Sequence, residues 1–164
     1  MTLQFGSIEK FCNVEYGTRV VRKKVEGTIY PVYGGGGKTF SIDKTNRKNR
    51  IIISRFGMSE ICTRFISGEF FLNDSGLTIS PKVSYLSQEY LDKIVLSLND
   101  KIYSLGRGTA QKNLDVNAFR KLQIAFPALE KQQRIVAKLD AAFAEIDEAI
   151  EAVNKQLDEC QRIY

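Results

Sequence analysis

The chain has 164 residues, a formal net charge of +5 and no histidine. Its length suits one compact domain with an extension. The absence of histidine removes Ser-His and Cys-His nucleophile pairs, the commonest zinc ligand and the usual general base near neutral pH. The cysteines, Cys12, Cys62 and Cys160, form no CxxC pair, and no apolar stretch resembles a signal peptide or a membrane span. We therefore expect a cytoplasmic protein without membrane contact that is not an enzyme and binds no metal or cofactor.

Short apolar runs rich in β-forming residues alternate with turn residues through most of the chain. They predict strands at 29–33, 51–56, 61–66, 70–72, 77–79, 102–105 and 122–126. Two short helices are predicted between them. One begins near Ser87 with Leu91 and Val95 on its inner face, and the other is capped by Asp115 with Phe119 inward. This order predicts an α+β fold with a mixed, curled sheet.

A glycine run, Gly34 to Gly37, precedes Lys38 and Thr39. A P-loop would need a glycine where Val32 stands, and a GxGxxG pattern would need one at Thr39, so both phosphate-binding motifs fail. What remains is a backbone of little bulk that can approach a surface closely and offer amides to phosphates. A hairpin tip with no binding role is the alternative.

The last 36 residues differ in charge from the rest of the chain. From Leu129 onward there are eight acidic and five basic residues, a net charge of −3, which leaves +8 on residues 1–128. Such a surplus on one body favours a polyanionic partner, although solubility alone explains many basic proteins.

Basic residues cluster in the turn-rich parts of this body. Arginine and glutamine on loops can contact base edges, whereas lysine mostly meets phosphates. A solvated surface is the alternative for each residue singly. The predicted DNA-binding residues are Arg19, Arg22, Lys23, Lys24, Tyr33, Gly35, Gly36, Lys38, Arg47, Lys48, Arg55, Arg107, Gln111 and Lys112.

A long amphipathic helix is predicted from about residue 129 to the last residue, starting after Pro127 with Glu130 near the positive end of its dipole. Its apolar residues follow a heptad repeat over about four heptads. Positions a are Val136, Phe143, Ile150, Leu157 and Tyr164; positions d are Leu139, Ile146, Val153 and Cys160. The flanking g positions hold Ile135, Ala142, Ala149, Gln156 and Ile163, which widens the apolar face. At roughly 54 Å the helix is too long to be buried on a body of this size, so we expect a coiled coil with a partner.

Four segments of the chain, in the same order and spacing, resemble the DNA specificity (S) subunit of type I restriction-modification systems. The most specific is the last, a proline-led helix start with a Glu-x-Gln-x-x-Ile-Val core. The segments are 29–35 (IYPVYGG), 52–57 (IISRFG), 108–114 (GTAQKNL) and 124–136 (IAFPALEKQQRIV).

The resemblance implies a target recognition domain at residues 1–126 and a conserved spacer and dimerisation helix at 127–164. Full-length members carry two such units, whose long helices pack antiparallel so that each domain reads one half of a bipartite DNA site. A half-length subunit would form a homodimer through Val136, Leu139, Phe143, Ile146, Ile150, Val153 and Leu157. The implied partners are double-stranded DNA, the methyltransferase (M) subunit and the restriction (R) subunit, which carry the catalytic activities.

Other functions remain open at this level. The chain could be an adaptor that binds no DNA and dimerises through its helix, with a basic body that is only a soluble surface. It could be a small nuclease acting through carboxylates, although no DxK or ExK tripeptide is present. Within the same family it could also be an inactive half-subunit that only exchanges into larger complexes.

Overall fold

The computed structural model describes residues 3–22 and 27–162. Ten strands and five helices are found there. The strands are β1 (Gln4–Ser7), β2 (Cys12–Tyr16), β3 (Tyr30–Gly34), β4 (Gly37–Ile42), β5 (Arg47–Ser54), β6 (Thr63–Leu72), β7 (Gly76–Pro81), β8 (Gly106–Arg107), β9 (Asn113–Leu114) and β10 (Gln123–Phe126). The helices are α1 (Ile8–Phe11), α2 (Gln88–Ser97), α3 (Asn99–Ser104), α4 (Val116–Lys121) and α5 (Leu129–Gln161).

Six strands form the central sheet in the order β2-β7-β5-β6-β3-β4. The pair β3–β6 is parallel and the other pairs are antiparallel, so the sheet is mixed. Two small antiparallel sheets, β1–β10 and β8–β9, lie outside it. The predicted α+β class with a mixed sheet and a long C-terminal helix is confirmed.

Strands β5 and β6 share an irregularity of the β-bulge kind, which bends a strand locally. Asn49 and Gly68 have positive φ angles of 46° and 79° at an irregularity in the pairing, and the Gly68 N–H donates to Asn49 Oδ1 over 2.7 Å. Through this bend both ends of β5 reach β7: Arg47 Nε donates to Thr78 Oγ1, and Ser54 pairs with Gly76. The predicted strands at 61–66 and 70–72 are parts of the single strand β6.

The main core lies between the sheet and the short helices. Its largest members that are fully buried include Phe11, Phe119 and Phe126, and the Phe11 and Phe126 rings meet edge to face at 4.9 Å. Aromatic pairs of this kind add to the free energy gained from burial. Strand β1 pairs with β10, so the two ends of the body are joined at this core.

Both predicted short helices are confirmed. Helix α2 is capped by Ser87, whose Oγ accepts from the Tyr90 N–H, and α4 is capped by Asp115, which accepts from the Ala118 N–H. A side-chain oxygen at this position pairs one of the N–H groups that a helix start leaves without a partner.

The predicted strand at 102–105 is wrong, because this segment belongs to α3. The Asn99 side chain fixes the start of that helix against β6: its Oδ1 accepts from the Cys62 N–H at 3.0 Å and from the Thr63 N–H at 3.1 Å. Ile102 is then fully buried one turn later. A four-residue apolar run does not distinguish a strand from a buried helical turn.

Helix α5 begins directly after Pro127 and Ala128, with Glu130 in its first turn, as expected from the sequence. Gln132 is fully buried and fastens this first turn to the body. Its Nε2 donates to the carbonyls of Tyr85 and Pro127, both over 2.8 Å, and its Oε1 accepts from the Ser87 N–H over 2.9 Å. The helix is therefore held firmly at its base.

Candidate nucleic-acid interface and partner helix

Several loops come together where strands of the central sheet end. We call this region the loop end, and it contains Tyr16, Gly35–Gly36, Arg55–Gly57, the turn 73–75 and Gln111. Hydrogen bonds join its parts: the Arg55 N–H donates to the Ser75 carbonyl at 2.8 Å, and the Arg55 carbonyl accepts from the Leu114 N–H at 2.9 Å. Of the predicted DNA-binding residues, the structure brings Gly35, Gly36, Arg55 and Gln111 together here.

The glycine run forms the two-residue turn of the β3–β4 hairpin, with Gly34 paired to Gly37. Gly35 is buried and its N–H already donates to Ser75 Oγ at 3.1 Å. Its carbonyl accepts from Ser54 Oγ and from Arg64 Nη1, each at 2.6 Å. Gly36 is exposed, and a Cβ added there would meet no atom within 4 Å. Close backbone approach to a ligand is therefore possible at Gly36.

The guanidinium group of Arg55 contacts two aromatic rings, which we call the clamp. Its guanidinium carbon lies 4.8 Å from the ring centroid of Tyr16 and 4.5 Å from that of Phe56, distances typical of cation–π contacts. Its Nη1 donates to the Asp74 carbonyl at 3.3 Å. The sequence did not point to either aromatic residue. Phe56 adjoins Arg55 in the chain, whereas Tyr16 belongs to a strand that no local pattern predicted.

The β8–β9 hairpin packs beside Arg55 with exposed Gln111 in its turn. Asn113 Oδ1 accepts from the Gly57 N–H at 3.2 Å, and a Cβ added at Gly57 would lie 3.2 Å from Gln111 Nε2. Gln111 is thus an exposed amide close to the clamped arginine, in a position that can meet a ligand there.

Arg107 and Lys112 of the same hairpin have contacts within the protein. Arg107 forms a 2.6 Å ion pair with Asp115, and Lys112 Nζ lies 3.6 Å from the centre of the Tyr103 ring. The Arg107 side chain is still 80% exposed, so the ion pair is open to competition by an anion.

Tyr33 and Arg47 contribute mainly to the interior. The Tyr33 ring packs edge to face on Phe70 with 5.6 Å between centroids. The Arg47 side chain is only 17% exposed and donates to Thr78, to the Tyr16 carbonyl and to the Asn46 carbonyl. Both side chains therefore have contacts within the protein.

The remaining predicted DNA-binding residues are surface cations. Arg19, Arg22, Lys38 and Lys48 are exposed, and Lys38 is paired with Tyr33 across the β3–β4 hairpin. Lys48 lies at the bend of β5 and lines a cleft together with Asn49 and Arg50. Lys23 and Lys24 lie outside the described residues.

Helix α5 is exposed beyond its base. Val136 is half-buried on the body, whereas the next six apolar heptad residues are exposed, and we call these six the stripe. Their exposed fractions are 36% for Leu139, 49% for Phe143, 52% for Ile146, 53% for Ile150 and 54% for Val153 and Leu157. All predicted interface residues except Val136 therefore leave apolar surface in water, and Tyr164 lies outside the described residues.

A cleft of about 1070 Å³ separates the base of α5 and α2 from the bend of β5. Its polar wall includes Arg50, Lys93 and Asp92, and Lys93 forms a 2.6 Å ion pair with Asp140 of α5. Asp92 is only 4% exposed. Burial raises the pKa of Asp92 to about 6, although a hydrogen bond from Gln88 and the charge of Arg50 favour its ionised form.

The raised pKa of Asp92 predicts a pH-dependent stability. Its ionised form weakens the fold above about pH 6, and this loss disappears as the pH falls through about 6 toward the unfolded value near 4. We expect Asp92→Asn to raise the free energy of unfolding by roughly 2 kcal/mol at about pH 8 and to have little effect near pH 4. Urea unfolding at both pH values measures this, and an equal difference at both would contradict it.

No group of three or more His, Cys, Asp or Glu side chains within residues 3–22 and 27–162 is arranged to hold a metal ion. In the same part of the chain, no helix combines the length and the apolar character needed to cross a membrane.

The fold and the site define a class: a basic α+β body joined to a protruding amphipathic helix. Residues 2–159 match the family model of the type I restriction modification DNA specificity domain, so the chain belongs to that family. Specificity subunits are non-catalytic, and family membership confirms the expectation that the chain is not an enzyme.

Similar proteins agree with this assignment. The specificity subunit of the type I restriction enzyme EcoprrI from Escherichia coli is 24% identical over 144 residues, covering 87% of this chain and 35% of that protein. The crystal structure of the S subunit from M. genitalium matches with a TM-score of 0.77 at 20% identity, over 90% of this chain and 41% of that one. The HsdS subunit from Thermoanaerobacter tengcongensis matches with a TM-score of 0.64 at 18% identity, over 89% and 38%. The chain thus spans roughly two fifths of these relatives or less.

Proposed function

We propose that this chain is a sequence-specific DNA-binding specificity subunit that reads one half of a bipartite site. Residues 1–126 would form the target recognition domain and 127–164 the spacer and dimerisation helix. It would act in the cytoplasm and recruit the methyltransferase and restriction subunits to the DNA. The observation that carries the proposal is the unburied stripe of α5 beside a body with a charge of +8.

The loop end supports binding to DNA. It presents a clamped arginine, an exposed amide at Gln111 and an open glycine turn at Gly36. Side chains that are already held in place lose little conformational freedom on binding, which favours discrimination between ligands. Exposed Arg19, Arg22 and Lys38 would neutralise phosphates elsewhere along the bound duplex.

The stripe supports pairing with a second copy. Contiguous apolar surface of this extent marks an interaction site rather than ordinary protein surface. In an antiparallel arrangement centred on residue 148, Leu139 meets Leu157 of the second copy, Phe143 meets Val153, and Ile146 meets Ile150. All six exposed apolar residues then have partners, each pair joining an a and a d position.

The residues that flank the apolar positions in this antiparallel arrangement are only partly favourable for it. Ala149 of one copy would lie near Ala149 of the other across the two-fold axis, where a small side chain allows close approach. Asp147 would also face its own copy, which is an unfavourable contact at low ionic strength. A symmetric dimer built this way would recognise an interrupted palindrome, since each body would read the same half-site in opposite orientation.

Binding of the purified chain to duplex DNA tests the DNA-binding part of this proposal. We expect affinity for random-sequence duplex to fall steeply with salt, by on the order of 10³-fold between about 50 and 200 mM if six phosphates are neutralised. Selection from a randomised duplex library should then enrich an interrupted palindrome. Fluorescence anisotropy followed by sequencing of the bound fraction gives both results.

The alternative functions predict different results in these experiments. An adaptor that does not bind DNA should show little binding even at low salt. A carboxylate-dependent nuclease should degrade plasmid in the presence of magnesium, whereas a specificity subunit alone should leave it intact. Binding without any enriched motif would contradict the specificity role.

A further inference from the structure

The clamp around Arg55 restricts how a ligand can reach its guanidinium group. The ring centroids of Tyr16 and Phe56 lie 4.8 and 4.5 Å from its carbon, so the two rings occupy part of the space around the group. Nη1 is directed to the Asp74 carbonyl. Among the described residues, no protein acceptor is bonded to Nε or Nη2. Nε and Nη2, on one edge of this flat cation, are therefore the donors left for a ligand.

The surroundings of this edge fit a base better than a phosphate. The Tyr16 and Phe56 side chains are 42% and 41% exposed, so apolar surface borders the free edge. The two nearest hairpin cations, Arg107 and Lys112, are engaged with Asp115 and Tyr103. A phosphate-binding patch would instead gather several free cations, as arginine and lysine do along a DNA backbone.

A flat donor edge matches one base in particular. Guanine presents two acceptors, O6 and N7, side by side in the major groove, and arginine is the side chain that meets both at once. Lysine carries the same charge but lacks the planar fork. We propose that Arg55 reads a guanine in each half of the bound site, with Tyr16 and Phe56 holding it in position. This inference rests on the proposed function.

Replacement of Arg55 by lysine tests this reading directly. Arg55→Lys keeps the positive charge and so keeps the general attraction to DNA. We expect the motif selected by the wild type to contain a guanine. The preference for guanine over other bases at that position should fall roughly 5- to 150-fold in the variant, which is the discrimination that a bidentate contact usually provides. Affinity for random duplex and its salt dependence should stay unchanged.

Modified DNA provides a second measurement at the same position. Replacing that guanine by 7-deazaguanine removes the N7 acceptor without changing base pairing. Wild-type binding should weaken, whereas binding by Arg55→Lys should not weaken further. Arg50→Lys is the matched control, because Arg50 lies in β5, the strand that ends just before Arg55, but lines the cleft beside α5. Its motif should equal that of the wild type.

The outcomes separate this inference from the proposed function. If the wild type selects a motif and Arg55→Lys selects the same one, the guanine contact is refuted and the proposed function stands. If Arg55→Lys weakens binding to all sequences equally, Arg55 does not discriminate between bases and the inference also fails. If the wild type binds no duplex at all, the proposed function is refuted, and so is the inference that depends on it.

Discussion

Replacing both Ile146 and Ile150 with aspartate is expected to yield monomers that keep the fold of the body. These two residues meet in the central layers of the antiparallel arrangement, so four carboxylates would enter one apolar seam. Each would cost several kcal/mol when desolvated without a partner. Both residues are more than half exposed in the single chain, so its fold should not change. Sedimentation velocity measures the mass, and circular dichroism measures the fold.

A cross-linking experiment tests the proposed dimer and its expected register. In a Cys160→Ser background, Ala149→Cys places a thiol next to its own copy at the two-fold axis and should form a disulfide under mild oxidation. Glu148→Cys lies one residue away on the outer face of the helix and should not. Efficient cross-linking of Glu148→Cys but not Ala149→Cys would contradict the register, and an unchanged dimer after the double aspartate substitution would contradict the interface itself.

Gly17→Ala is expected to disrupt the loop end and to destabilise the whole body. A Cβ at this position would lie 1.9 Å from the Asn73 carbonyl oxygen and 2.7 Å from the Leu72 carbonyl oxygen. Both neighbours are backbone atoms, so the strand end and the turn 73–75 must move apart. That turn accepts hydrogen bonds from Arg55 and Gly35. We expect a loss of roughly 2–4 kcal/mol in the free energy of unfolding and a loss of DNA binding.

Gly36→Ala is the matched control for this prediction. Its added Cβ meets no atom within 4 Å, so stability should change by less than about 1 kcal/mol. Thermal and urea unfolding of the two variants gives the comparison. Equal stability of Gly17→Ala and the wild type would show that the close approach at Gly17 is not required by the fold.

The parts of the fold with strong local patterns could be predicted from the sequence. Helix α5 has a sustained heptad repeat and a clear start signal, and its predicted beginning at residue 129 is confirmed. Capping residues likewise located α2 and α4. The strand predicted at 102–105 was wrong because the conformation of this segment depends on the Asn99 contacts with β6. No local pattern reveals these contacts.

The candidate site was predictable only in part. Loop glycines, arginines and Gln111 could be selected by residue type, but their environments depend on contacts between distant segments. Arg47 resembled a surface cation in the sequence, yet β7 and the end of β2 supply its hydrogen-bond partners. The clamp on Arg55 was invisible for the same reason, since Tyr16 comes from an N-terminal strand that is defined by its pairing with β7.

The buried Gln132 makes the junction between body and helix a rigid joint rather than a hinge. Three hydrogen bonds fix the direction in which α5 leaves the body. In a symmetric pair, the distance between the two DNA-binding bodies would then be set by how many residues lie between this junction and the two-fold axis. The gap tolerated between half-sites and the choice of bases would be encoded in different parts of the molecule, so each could change without altering the other.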